Sequence, residues 1–227
     1  MSGDEILWNF PQIGDELLGQ YEILGEIATG GTGILLRARQ NSLRRAVVVK
    51  VLTPAIQEPI LVERFLREAR AASRISEPHV VTIFDCGFVE RGAGEREWVR
   101  ADAGLPFIVM EHMRGLDLSA LMDERNAPLE VAEILTYMGE ACIGVAALHR
   151  QGTVLRDLKP GNLFLCATDS GRNVVKVVDL GISKSSPVDK GMGDARLAAK
   201  DGALGSIAYM SPEQISQPST VGFASDI

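Results

Sequence analysis

Three groups of residues, the first drawn from two separate runs, hold the side chains with the most chemistry. In Asp157-Leu158-Lys159-Pro160-Gly161-Asn162 a carboxylate, an ammonium and an amide lie close together in the chain. The run Val177-Val178-Asp179-Leu180-Gly181 adds a second carboxylate beside a glycine. Asn162 and Asp179 offer the hard oxygen donors that Mg2+ prefers. Asp157 could accept a hydroxyl proton, and Lys159 could neutralise charge on a phosphoryl group in transfer. Each alone could be a solvated loop residue; their joint order and spacing argue for a site.

The second stretch is Val47-Val48-Val49-Lys50-Val51-Leu52. An ammonium inside an apolar strand is costly without a partner. An edge-strand or snorkelling lysine is the plain alternative. The partner on offer is Glu68, in Arg67-Glu68-Ala69-Arg70. Held by it, Lys50 could reach toward phosphate oxygens. The third stretch is Ala28-Thr29-Gly30-Gly31-Thr32-Gly33. Glycines let backbone N–H groups approach phosphate oxygens closely. Such a cluster is also an ordinary turn. It misses a Walker A loop, because Gly31 stands where a lysine is required. It fits a dinucleotide fingerprint poorly, because a strand follows it rather than a helix.

These residues need elements to hold them. Apolar, β-branched runs from Tyr21 to Val51, broken by Gly, Asn and Ser, predict an antiparallel meander. Glu63–Ile75 predicts a helix with Phe65, Leu66, Ala69, Ala72 and Ile75 on one face. Val80–Phe84 and Pro106–Met110 read as strands, with Glu90–Asp102 an exposed hairpin loop between them. Leu129–Arg150 carries Val131, Leu135, Met138, Cys142, Val145 and Leu148 at helical spacing, which predicts a buried core helix. Leu163–Cys166 and Val174–Val178 are two short strands, and Ser183–Ser206 reads as a long loop. A strand-rich first half before a helix-led second half suggests two lobes with a cleft for a small molecule.

In this order, these motifs resemble those of a protein kinase of the Ser/Thr type, similar in style to the eukaryotic-like kinases of bacteria. The resemblance runs from about Tyr21 to the end of the chain. It implies an α+β, bilobal fold: an antiparallel sheet plus one helix in the N-lobe (21–113, hinge included) and a mainly helical, incomplete C-lobe (114–227), after a leader at 1–20. It implies ATP and Mg2+ as cofactors and a protein substrate with a Ser or Thr acceptor. Lys50 resembles the lysine that contacts ATP phosphates, and Glu68 its helix partner. Ala28, Thr29, Gly30, Gly31, Thr32 and Gly33 resemble the phosphate-covering loop. Met110 resembles the gatekeeper, and Glu111, His112 and Met113 the hinge that meets adenine. Asp157 resembles the catalytic aspartate, Lys159 its companion, and Asn162 and Asp179 the metal ligands. Arg156 would bind a phosphate on the activation segment, with Ser183, Ser185, Ser186 and Ser206 as acceptors. Gly205–Glu213 resembles that segment's end, where Glu213 would pair with a later arginine.

Ala28 replaces the first loop glycine, Leu155 stands where the family usually has His, and Leu180 stands for Phe. The methyl of Ala28 is tolerable if its φ is negative. The chain stops at Ser225-Asp226-Ile227. By resemblance Asp226 opens a long helix whose aspartate bonds the catalytic-loop backbone, and the rest of that helix would be missing. The helix at Leu129–Arg150 would then lose cover, at about 1.5–3 kcal/mol for each large apolar side chain exposed. An unstable or inactive fragment, or a non-catalytic pseudokinase, is the alternative to an active enzyme.

Composition narrows the class further. Lys and Arg number 23 against 30 Asp and Glu, a net charge of −7, which argues against a nucleic-acid partner. Cys86, Cys142 and Cys166 are far apart and read as reduced core thiols. The N-terminus carries no Lys or Arg before Arg37, unlike a signal peptide, and no apolar run approaches a membrane span. A cytoplasmic protein is expected; oligomeric state is not encoded in these features.

Overall fold

The computed structural model describes residues 10–30, 33–53, 59–94, 96–178, 207–217 and 221–227. The chain forms two compact units, Met1–Leu66 with Ile83–His112 and Arg67–Thr82 with Met113–Ile227.

The first unit is built on β1 (Glu16–Leu17), β2 (Tyr21–Gly30), β3 (Gly33–Gln40), β4 (Arg45–Leu52), β5 (Ile83–Arg91), β6 (Glu97–Ala101) and β7 (Leu105–Glu111). They close in the order β1-β2-β3-β4-β7-β5-β6. Neighbours are antiparallel except at the closure, where Leu17 of β1 lies opposite Trp98 of β6 in a parallel pair. Side chains alternate across a strand, so Ile34, Leu36 and Ala38 of β3, Val47, Val49 and Val51 of β4, and Phe107 and Val109 of β7 share one core. Asp15 secures the closure. Its Oδ2 accepts the Trp98 indole N–H at 2.7 Å and lies 3.2 Å from the Arg91 guanidinium.

Two expectations change here. The leader expected at 1–20 contributes β1, and Leu17 is fully buried; residues 1–9 lie outside the described residues. The loop expected at Glu90–Asp102 contains β6, and Trp98 is buried in the core. Glu97 and Arg100 point to solvent on either side of it. Trp98 and Val99 sit side by side between charged Glu97 and Arg100, which gives no apolar–polar alternation to read as a strand from sequence.

The helix α1 (Pro59–Ala72) begins earlier than Glu63 and ends before Ile75, with Phe65, Leu66, Ala69 and Ala72 buried. The boundary between the units falls inside it, after Leu66.

The second unit continues with β8 (Gly115–Asp117), α2 (Leu118–Arg125), α3 (Val131–Arg150), β9 (Leu163–Ala167), β10 (Asn173–Val177) and α4 (Pro212–Ser216). Short 3-10 turns lie at Pro160–Asn162 and Phe223–Asp226. The three strands form a sheet in the order β10-β9-β8. The sequence signal for α2 is weak, but its start is well made: Asp117 accepts the Ala120 N–H at 2.9 Å.

Helix α3 buries less than its pattern suggests. Glu140, Ala141, Gly144, Val145, Ala147 and Leu148 are buried. Val131 is 72% exposed and Leu135 69%, with Met138 and Cys142 also in the open. The covered stripe belongs to the C-terminal half, where the helix packs on β10. By length and composition α3 would suffice to cross a membrane, contrary to the expectation that no run approaches such a span. In this fold its C-terminal half packs on β10, where Glu140 is buried and accepts the Val175 N–H.

Candidate functional site

Each unit carries its own share of the expected residues. In the first, β2 and β3 form a hairpin in which Gly30 lies opposite Gly33 and Ala28 opposite Leu35. Gly31 and Thr32, at its tip, lie outside the described residues. Ala28 is not among the residues with positive φ, so its methyl sits on ordinary extended backbone. Gly33 has φ +150°, and a Cβ there would stand 2.1 Å from the Val51 carbonyl oxygen. Residue 33 must therefore lack a side chain for β3 to lie against β4.

Lys50 occupies β4, which is hydrogen-bonded on both sides: Lys50 lies opposite Leu35 of β3 and Ile108 of β7. It is thus on an interior strand, not an edge, half-buried between buried Val49 and Val51. Met110 and Glu111 end β7, opposite Val48 and Val47. The unit boundary falls between His112 and Met113. Glu68 is half-buried on α1 and belongs to the second unit.

The second unit gathers the residues between α3 and β9. Asp157 is 7% exposed. Its Oδ2 lies 3.0 Å from the Lys159 ammonium and accepts the Asn162 side-chain amide at 3.0 Å. The same Asn162 Nδ2 donates to the Asp157 carbonyl at 2.7 Å. A carbonyl only accepts, so this bond settles which end of the Asn162 amide is nitrogen. The amide oxygen then points elsewhere, and among the described residues no hydrogen bond engages it. That leaves a hard, neutral oxygen next to a buried carboxylate, which suits a Mg2+ that keeps most of its other positions for water and phosphate. Asp179, the other expected ligand, lies outside the described residues, as do Ser183, Ser185, Ser186 and Ser206.

The loop before Asp157 is held from beneath. Asp226 accepts the Leu155 N–H at 2.8 Å and the Arg156 N–H at 2.7 Å. Arg156 adopts φ +63°, an unfavourable conformation for a residue with a side chain, and Gln214 donates to its carbonyl at 2.6 Å. Leu155 is 1% exposed, so the residue at the usual histidine position serves packing. Glu213 accepts the Ser225 hydroxyl at 2.6 Å, and this bond leads the causes that hold its carboxyl below the usual range.

The protein kinase domain model matches residues 21–227 of the chain. The chain belongs to the protein kinase family. A kinase-family relative in Clostridium acetobutylicum, named a "probable serine/threonine-protein kinase", is 34% identical over 203 residues, covering 89% of this chain and 27% of the relative. The serine/threonine-protein kinase PknB of Mycobacterium tuberculosis is 34% identical over 200 residues, covering 87% of this chain and 29% of that protein. This kinase chain therefore spans well under half the length of the curated relatives it matches. The solved PknI kinase domain of Mycobacterium tuberculosis superposes with a TM-score of 0.70 at 21% identity, covering 96% of this chain and 73% of that one. The likeness shows the protein-kinase fold.

Sequence reasoning missed two braces of this candidate site and one buried acid of the second unit. His149 Nε2 meets Asp226 at 2.8 Å, Gln214 braces Arg156, and Glu140 is a buried acid on α3. Only Glu140 left a signal, as a carboxylate two positions before Cys142 on the otherwise apolar half of the helix.

Proposed function

We propose that the chain is the catalytic part of a Ser/Thr protein kinase, transferring the γ-phosphoryl group of ATP to a Ser or Thr hydroxyl of a protein. The observation that carries this reading is the buried Asp157 carboxylate, oriented at one oxygen by both Lys159 and Asn162. The two donors hold that oxygen in place, as a group that must receive a hydroxyl proton requires.

Lys159 offers its ammonium to negative charge developing on the transferring group. Asn162 and Asp179 would hold Mg2+, which when bound neutralises phosphate charge. In the first unit, the 28–33 hairpin would cover the phosphates with backbone N–H groups, and Lys50 would hold the ATP tail. Met110 would back the adenine, and the backbone of Glu111 and Met113 would bond its edge. Arg156 would bind a phosphate on the segment between Asp179 and Glu213. The ATP requirement supports a cytoplasmic placement.

The Asp-Leu-Lys-Pro-Gly-Asn form favours Ser and Thr over Tyr as acceptors. Incubation with γ-labelled ATP, Mg2+ and a mixed protein substrate tests this. Hydrolysis of the labelled protein should release phosphoserine or phosphothreonine. Phosphotyrosine as the main product would overturn the acceptor class. Nucleotide binding without any transfer would favour the non-catalytic alternative.

A further inference from the structure

Strand β10 is the edge of its sheet, yet its outward backbone groups are engaged at both Val175 and Val177. The Val177 N–H donates to the His79 carbonyl at 2.9 Å, and the Val177 carbonyl accepts the Val81 N–H at 3.0 Å. At Val175 side chains replace the backbone ladder. His79 Nδ1 lies 2.9 Å from the Val175 carbonyl. Because that carbonyl only accepts, Nδ1 carries the proton. The Val175 N–H donates to Glu140 Oε2 at 2.8 Å, and Glu140 Oε1 accepts from Arg172 at 2.8 Å. Helix α3 comes so close that a Cβ on Gly144 would stand 2.4 Å from the His79 carbonyl oxygen. One buried carboxylate thus joins α3, the turn before β10 and the middle of β10.

The strand so held supports the candidate metal ligand. Val177 pairs with Leu163, the residue after Asn162, and the Val178 N–H donates to the Asn162 carbonyl at 3.1 Å. The next residue in the chain is Asp179.

We propose that Glu140 is a positioning residue for the metal-bound nucleotide: through the Val175 N–H it fixes β10, and through β10 the backbone of Asn162. It touches neither nucleotide nor metal. The proposal rests on the kinase reading. A leucine at 140 would fill similar space but leave the Val175 N–H unpaired, whereas a glutamine would still accept it.

The test is Mn2+ binding to the full chain in the presence of ADP, followed by the electron paramagnetic resonance of free Mn2+. ADP binding in EDTA is measured alongside. Glu140→Leu should weaken Mn2+ binding about tenfold, as loss of outer partners of a metal ligand does. ADP binding in EDTA should stay unchanged, and Glu140→Gln should restore most of the metal affinity. A purely structural role would lower thermal stability and leave Mn2+ affinity unmoved. Wild-type affinity in a folded Glu140→Leu chain overturns the proposal alone. Should that variant fail to fold, Glu140→Met removes the same acceptor for the Val175 N–H with a more adaptable side chain. A weaker Mn2+ affinity there supports the proposal, and an unchanged one overturns it. A wild-type chain that gains nothing from Mn2+ overturns the kinase reading, and the proposal with it.

Discussion

Asp226 reaches across the sequence to accept the Leu155 N–H at 2.8 Å, with its carboxylate fully buried. The same carboxylate accepts the Arg156 N–H and meets His149 Nε2. One side chain thus satisfies three donors beneath the loop that carries Asp157. Replacing it should be costly in a specific way. Asp226→Ala leaves those donors buried without acceptors, at about 1–3 kcal/mol each. Chemical denaturation should show the lowered midpoint, and phosphotransfer should fall further than the unfolded fraction explains. A change within about 0.5 kcal/mol, the range of ordinary surface substitutions, would contradict this account.

The hairpin expected to cover phosphates depends on Gly33. A Cβ at this position would overlap the Val51 carbonyl, and the backbone sits at φ +150°. Gly33→Ala should cost about 1–3 kcal/mol through strain and weaken ATP binding, read by calorimetry. Gly30, where a Cβ meets nothing within 4 Å, is the control. Gly30→Ala should leave stability nearly unchanged.

Helix α3 offers a contrast within one element. Leu148 is fully buried and Leu135 is 69% exposed. Leu148→Ala should cost about 2–5 kcal/mol, and Leu135→Ala no more than about 0.5 kcal/mol. Thermal melts of the two variants check this, and equal losses would mean that the first turns of α3 are covered.

The start of α3 should respond to acid. Glu133 accepts the Glu130 N–H and pairs with Arg125, and these hold its carboxyl below the usual 4.5. Because the folded value is the lower one, the stabilisation is complete above about pH 4.5 and is lost as pH falls through the folded value. The melting difference between wild type and Glu133→Gln should be present at neutral pH and shrink in acid. A difference that grows on acidification would contradict it.

The parts legible in sequence are those that local chemistry dictates. Lys50 amid valines announced a strand, and the Asp157–Asn162 spacing announced a site whose members do meet. What stayed hidden depends on partners distant in sequence. Trp98 is a core residue because β6 closes on β1, which no local pattern around Glu97 and Arg100 conveys. Glu140 reads as an incidental acid on a core helix until Val175 and Arg172 are seen against it. The apolar spacing of Val131, Leu135 and Met138 correctly announced a helix but not what covers it, because periodicity reports a face and not its partner.

The most direct test of the central claim is transfer of label from γ-labelled ATP to protein with Mg2+, comparing the 227-residue wild type with Asp157→Ala. The account predicts transfer by the wild type, a loss of about a hundredfold or more in the variant, and equal nucleotide binding by both. Nucleotide binding without transfer by the wild type, or equal transfer by the two chains, would contradict it.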